Sequence, residues 1–334
     1  MNLASIVALG AALAAVCVSR SAQAQAASPE VERHVAAARA AAGSEHTVVL
    51  DLLCKPVGPG VAPRPAGAAP RPAGAAPRAA PPAPPRDSWH AEPAKVFDNL
   101  YFLGMTEFTA WAIPTSAGII VTDPLFDYSV EDEVVQGLTK LGMKPADIKY
   151  VLVSHGHLDH AGGAKLLQER YGARVLMSAA DWDMLERDNP PWKPKRDLII
   201  TDGQKLTLGD TTLTLYLTPG HTPGTVSTII PLRDGAQRHV AALWGGTLFN
   251  FGPDKARIEA YGASAARFRD IAAAAGADVI LSNHSNYDGT KTKLAALTRR
   301  AAGTPNPYVV GAASVRGYLT VANECAQAAA AGLP

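Results

Sequence analysis

Lys149-Tyr-Val-Leu-Val-Ser-His-Gly-His-Leu-Asp-His160 runs on into Ala161-Gly-Gly-Ala-Lys-Leu-Leu-Gln-Glu-Arg-Tyr171. Lys149 to Ser154 is a β-branched apolar run of buried-strand type, and Gly162 to Tyr171 has a helical pattern. Between them stand four side chains able to bind a metal: His155, His157, Asp159 and His160. Such a cluster on a strand-to-helix turn predicts a dinuclear metal site at a sheet edge. The i, i+2 spacing aims His155 and His157 at one ion and carries Asp159 and His160 toward a second. Zinc ions about 3.5–4 Å apart can share one hydroxide. The plain alternative is a set of ordinary polar loop residues.

Two distant histidines extend the pattern. His221 lies in Thr218-Pro-Gly-His-Thr-Pro-Gly224, directly after the alternating run Thr211-Thr-Leu-Thr-Leu-Tyr-Leu217, and His284 ends Leu281-Ser-Asn-His284, after the apolar run Ala277 to Leu281. Singly, each reads as a structural loop histidine. Together they give three strands that each end in a histidine, as a metal site at the strand ends of a layered α/β fold requires. The alternation of short strands and helices between Lys95 and Asn283 independently favours a layered α/β domain. His34, His46, His90 and His239 have no ligand spacing and are assigned to surface or structure.

From about Val96 to Asp288 the chain resembles the metallo-β-lactamase superfamily, through the His-x-His-x-Asp-His run at 155–160 and its Pro-Gly-His-Thr-Pro-Gly partner at 219–224. The resemblance implies an α/β fold, a four-layer αβ/βα sandwich of two mixed sheets face to face. It further implies two zinc ions per chain, one on His155, His157 and His221 and the other on Asp159, His160 and His284. Zinc is favoured over iron because diiron members typically carry Glu at the place of His157. Asp123, at the end of Gly118-Ile-Ile-Val-Thr-Asp123, matches a position that buttresses the ligand loop. Catalysis would then be attack of a metal-bound hydroxide on a small-molecule substrate. Asp159 would be both ligand and orienter of the hydroxide, with no role for Ser154 as nucleophile.

Ala242-Leu-Trp-Gly-Gly-Thr-Leu-Phe-Asn250 separates branches of that superfamily. Glyoxalase II and the lactonases place a metal-bridging Asp where Gly246 stands. Thr247 together with His160 instead looks like the β-lactamase subclass whose second zinc takes Asp and two His. The expected reaction is therefore opening of a β-lactam amide. One position departs from that subclass: Phe249 stands where a Ser commonly holds the drug carboxylate. Asn250, Ser285, Asn286 or Tyr287 are the replacement donors, beside Thr247. Another amide, lactone or thioester hydrolase is the alternative, and an exported metal-binding protein without catalysis is a third reading. Phe108, Trp111, Trp182 and Trp192 are candidates for substrate walls or for core, and Asp188 to Pro194 is a turn-rich loop able to overhang a cleft.

The remainder divides by composition. Residues 1–24 form an apolar stretch ending in an Ala-x-Ala signal, Ser21-Ala-Gln-Ala24, and read as a signal peptide, which predicts a periplasmic or secreted protein. The n-region lacks Lys or Arg, so an uncleaved anchor is the alternative. Residues 25–54 are an N-terminal helical extension, with Pro29 to Gly43 as an amphipathic helix. Residues 55–86 are a Pro/Ala-rich linker in which Ala62-Pro-Arg-Pro-Ala-Gly-Ala68 repeats at once. Residues 87–305 form the hydrolase domain, and 306–334 a C-terminal helical tail. With 31 basic and 30 acidic residues, nothing points to a nucleic acid partner, nor to a membrane once the leader is removed. Cys54 and Cys325 flank the domain; they pair in an oxidising compartment or stay as two free thiols.

Overall fold

The computed structural model describes residues 28–55, 83–301 and 303–334. The expected leader and most of the linker lie outside them. Twelve strands are described: β1 (Ala94–Phe97), β2 (Leu100–Phe102), β3 (Trp111–Thr115), β4 (Gly118–Thr122), β5 (Ile148–Leu152), β6 (Arg174–Ser178), β7 (Leu198–Ile200), β8 (Gln204–Leu208), β9 (Thr211–Leu217), β10 (Val226–Asp234), β11 (Gln237–Trp244) and β12 (Val279–Ser282). The helices are α1 (Pro29–Ala42), α2 (Thr47–Leu53), α3 (Gln136–Lys140), α4 (Leu158–Ala161), α5 (Ala164–Tyr171), α6 (Ala179–Asp188), α7 (Lys255–Ala274), α8 (Thr290–Leu297) and α9 (Ala312–Ala331).

The strands form two mixed sheets. One runs in order from β1 to β7, antiparallel as far as β4 and parallel from β4 onward; the other has the order β12-β11-β10-β9-β8, parallel only between β11 and β12. Because side chains alternate across a strand, each sheet presents two apolar faces. Ile120, Leu152 and Leu176 of the first sheet meet Leu213, Leu215, Ile230, Leu243 and Leu281 of the second in a shared central core. The alternate residues Val121, Val151, Val175 and Met177 point outward and are covered by Leu138 of α3, Leu167 of α5 and Trp182 and Leu185 of α6. On the opposite side Ala242, Trp244 and Ile280 are covered by Ile258 and Phe268 of α7, Tyr318 and Ala322 of α9, and Ala38, Val49 and Leu53 of α1 and α2. The expected four-layer αβ/βα sandwich is the observed one.

The flanking helices pack on this domain. A Cys54–Cys325 disulfide (S–S 2.02 Å) resolves the two cysteine alternatives and joins α2 to α9. Among the described residues no helix is long and apolar enough to cross a membrane.

Strand direction now places the functional loops. β4 and β5 are parallel neighbours, so Asp123 and Ser154 leave the first sheet at the same end. Thr228 of β10 lies opposite Leu243 of β11, so the β9–β10 loop and the segment after β11 emerge together, joined by the segment after β12. A backbone bond from Val226 N to Ser154 O (2.7 Å) ties the two sheets at that edge.

Candidate metal centre

All six predicted ligands converge at this edge. His155 Nε2 and His157 Nδ1 each lie 3.1 Å from His221 Nε2. His160 Nε2 lies 3.1 Å from Asp159 Oδ2 and 3.3 Å from His284 Nε2, with His284 Nε2 3.7 Å from Asp159 Oδ2. The two trios adjoin, for the ring centroids of His155 and His160 are 4.3 Å apart.

The three-histidine trio fits a cation. His155 donates Nδ1–H to Gly245 O (2.8 Å) and His221 donates Nδ1–H to Leu248 O. In each neutral ring the Nε2 lone pair is then bare, and two bare lone pairs 3.1 Å apart repel unless a cation lies between them. Zinc–nitrogen bonds of about 2.0–2.1 Å at a tetrahedral centre place ligand nitrogens about 3.3 Å apart, close to the spacing of the trio. Four imidazoles are held unprotonated. Burial first, then neighbouring rings, push His155 well down and His221 to about 3. Burial likewise lowers His157 to about 4 and His284 to about 3. His160 differs: burial opposes its charge, but Asp159 and Asp123 raise it to about 10. Burial also works against ionised Asp159, yet His160, His284 and His157 hold its carboxyl below the ordinary range.

Asp123 stands behind these side chains. Its carboxylate accepts from Ser154 N and from Ser154 Oγ, both at 2.7 Å, and Oδ2 lies 3.3 Å from His160 Nδ1 at an ion-pair distance. Its backbone adopts φ 48, a left-handed conformation that short Asx side chains tolerate best and that clusters at functional sites.

The predicted substrate contacts are placed differently. Thr247 is buried with Oγ1 2.9 Å from Ser282 Oγ, and Ser285 is buried with Oγ donating to Thr106 O at 2.5 Å, so both hydroxyls serve the protein's own loops. Asn286 is exposed and donates to Glu107; Asn250 is exposed; Tyr287 packs in the core with Phe249, whose ring lies against Tyr261. Trp111 and Trp182 are fully buried core residues, the latter donating Nε1–H to Leu198 O. Phe108 does border the site, with its ring 5.0 Å from His284, and Trp192 lines a groove of 540 Å³ with Asp127 and Lys165. The four histidines assigned to surface or structure have structural partners: His34 with Glu324, His46 with Ser314, His90 with Glu133 and His239 with Asp278.

Three contributors were not read from the sequence. Asn283, next to His284, donates Nδ2–H to Gly245 O (2.7 Å) and to Ser154 Oγ (3.2 Å), linking the two sheets behind His155. Asp181 and Arg257 grip the loops that carry ligands. The only sequence signal for Asp181 is a Ser178-x-x-Asp181 capping pattern, which speaks of a helix start and not of a site. Gly246 has a steric meaning: a Cβ there would lie 2.5 Å from His221 Cβ, so no side chain fits between His221 and the segment after β11.

Comparison with known proteins agrees with the geometry. A family model described as the metallo-beta-lactamase superfamily matches residues 109–235. The chain is similar to BJP-1, a subclass B3 metallo-beta-lactamase of Bradyrhizobium japonicum, with 30% identity over 70% of this chain and 91% of that one and a TM-score of 0.60. FEZ-1, a metallo-beta-lactamase from Legionella gormanii, is 25% identical over 69% of this chain and 91% of that one, with a TM-score of 0.59. A hydroxyacylglutathione hydrolase of Acidiphilium cryptum is 35% identical over 105 residues, 31% of this chain and 37% of that protein. The chain spans about two-fifths of the length of the curated relatives it matches.

Proposed function

The chain belongs to the metallo-beta-lactamase superfamily, and from that membership we propose that it is a dizinc hydrolase that opens the β-lactam amide. The observation that carries the reading is the pair of adjoining trios with no carboxylate between them at Gly246. His155, His157 and His221 would hold one ion and Asp159, His160 and His284 the other. Zinc held there supplies an acidified water and a polarised carbonyl at neutral pH. The chain's own part is orientation. The carbonyls of Gly245 and Leu248 fix the tautomers of His155 and His221, Asp123 steadies the turn before the ligands, and Asp159 would both hold the second ion and orient the attacking water. Phe108 offers an apolar wall beside His284.

The β-lactam reading is supported by Gly246 and by the resemblance to BJP-1. A second reading, thioester hydrolysis, is favoured by two observations. The Acidiphilium cryptum relative is a hydroxyacylglutathione hydrolase, and Phe249, Thr247 and Ser285 provide no free donor for a drug carboxylate. Export to the periplasm or beyond is part of the proposal, supported by the apolar N-terminus and by a disulfide suited to an oxidising compartment. Nitrocefin and S-D-lactoylglutathione are assayed side by side on purified protein. Nitrocefin turnover that disappears with dipicolinate and returns with zinc is expected. Preferential thioester turnover selects the second reading, and zinc uptake with neither activity removes both.

A further inference from the structure

The six ligands sit on loops from different strands, and the three-histidine trio joins two loops that have no covalent reason to stay in register. We infer that Asp181 is the positioning residue that holds them so. It lies in the first turn of α6, fully buried, and its carboxylate accepts three bonds, none from its own helix. Oδ2 takes Gly156 N (2.8 Å) and Thr222 Oγ1 (2.8 Å), and Oδ1 takes Gly224 N (2.9 Å). Gly156 stands between ligands His155 and His157, and Thr222 follows ligand His221. One carboxylate therefore spans both loops.

Two further observations give this contact a purpose beyond folding α6. The helix already has a cap, because Ser178 Oγ accepts from Asp181 N, so the start of α6 does not need the carboxylate. The loop is also gripped from its other polar side: Arg257 Nε donates to Gly220 O at 2.7 Å, and Nη2 donates to His221 O. Donors of the 218–225 loop thus meet a carboxylate and its carbonyls a guanidinium, and charge-assisted bonds are the stronger kind. The close approach requires glycine at 224, where a Cβ would lie 1.9 Å from Ser178 Oγ and 2.7 Å from Asp181 Oδ1. In the absence of an ion the bare nitrogens of the trio repel one another. Asp181 resists that opening and keeps the cradle formed before the cation arrives.

This rests on the proposed metal centre only in so far as the trio binds zinc. The test is Asp181→Asn in the full chain, read by zinc competition with a chromophoric chelator, by the d–d spectrum of the cobalt-substituted protein, and by turnover with and without excess zinc. One site should lose about 10- to 100-fold in zinc affinity, as loss of an outer partner does, with a weakened cobalt spectrum and with turnover recovered by excess zinc. Zinc affinity within about threefold of wild type, whatever happens to thermal stability, overturns the inference. Should the variant fail to fold, Thr222→Val removes one of the three bonds and carries the same comparison: unchanged zinc affinity overturns it. A wild-type chain that takes up no zinc overturns both this inference and the reading of the centre. One that binds zinc but hydrolyses nothing removes the proposed activity alone, since the zinc comparison still decides Asp181.

Discussion

Replacing Asp123 by Asn tests how the ligand turn is held, because Asn also tolerates φ 48 and the change removes charge without adding backbone strain. The present carboxylate takes two 2.7 Å bonds from Ser154 and faces His160 Nδ1 at 3.3 Å. Asn283 Nδ2 donates to Ser154 Oγ, so the Ser154 hydroxyl proton goes to Asp123. With Asn at 123 the amide oxygen can still accept from Ser154 N, but the amide NH2 stands in place of Oδ2 and leaves the Ser154 hydroxyl proton without its acceptor. The bond from the Ser154 hydroxyl and the ion-pair contact with His160 Nδ1 are both lost in a buried place, and the charge-assisted bond alone costs about 2 kcal/mol. If that cost falls on the arrangement that binds the metal, it corresponds to roughly 30-fold in zinc affinity. The value lies inside the range of about 10- to 100-fold typical for partners of metal-bound histidines. Chelator competition measures the affinity and urea unfolding of the metal-free protein measures the stability. Zinc binding unchanged within about threefold would refute the buttressing argument.

His221→Ala removes one of three ligand atoms from the first trio, so metal content falls and turnover drops beyond the roughly 10- to 100-fold expected of an outer partner; elemental analysis and a rate assay check it, and wild-type rate contradicts the assignment. The metal-free protein should be acid-sensitive. Burial holds His157 at about 4 and both His221 and His284 at about 3, so their contribution is present above the ordinary value near 6.5 and is lost as pH falls through 4 toward 3. His160, held at about 10 against burial by Asp159 and Asp123, contributes the opposite way: its stabilisation is complete below about 6.5 and fades as pH rises through 10. Denaturant midpoints across pH on chelator-treated protein test both limbs, and a flat profile opposes them. Cys54→Ser with Cys325→Ser opens a link of sequence separation 271 and should cost about 2–5 kcal/mol in urea unfolding, with earlier proteolysis of α1 and α2; equal midpoints for reduced and oxidised protein oppose it.

Much of the centre was legible because metal ligands are chemically narrow. His155, His157, Asp159 and His160 lie within one turn of chain, and His221 and His284 each follow a recognisable strand, so residue type and position together named six candidate ligands. The layers were legible for a related reason, since Ile120, Val121, Val151 and Leu152 alternate between two apolar cores. The substrate contacts were not legible. Thr247 and Ser285 carry hydroxyls of the right chemistry, but only their rotamers and neighbours turn them toward Ser282 and Thr106. Trp111 and Trp182 were open between wall and core until packing buried them.

What the chain determined by itself was therefore local: candidate ligands, strand and helix periodicity, and a disulfide that was possible. Only the tertiary structure decided that Asp181 reaches two ligand loops, that Asn283 meets Gly245 across the sheets, that Gly246 admits no side chain, and that Cys54 finds Cys325. Periodicity and residue type act over a few neighbours along the chain, whereas a buried hydrogen bond depends on tenths of an ångström between segments whose relative placement is set by the whole core.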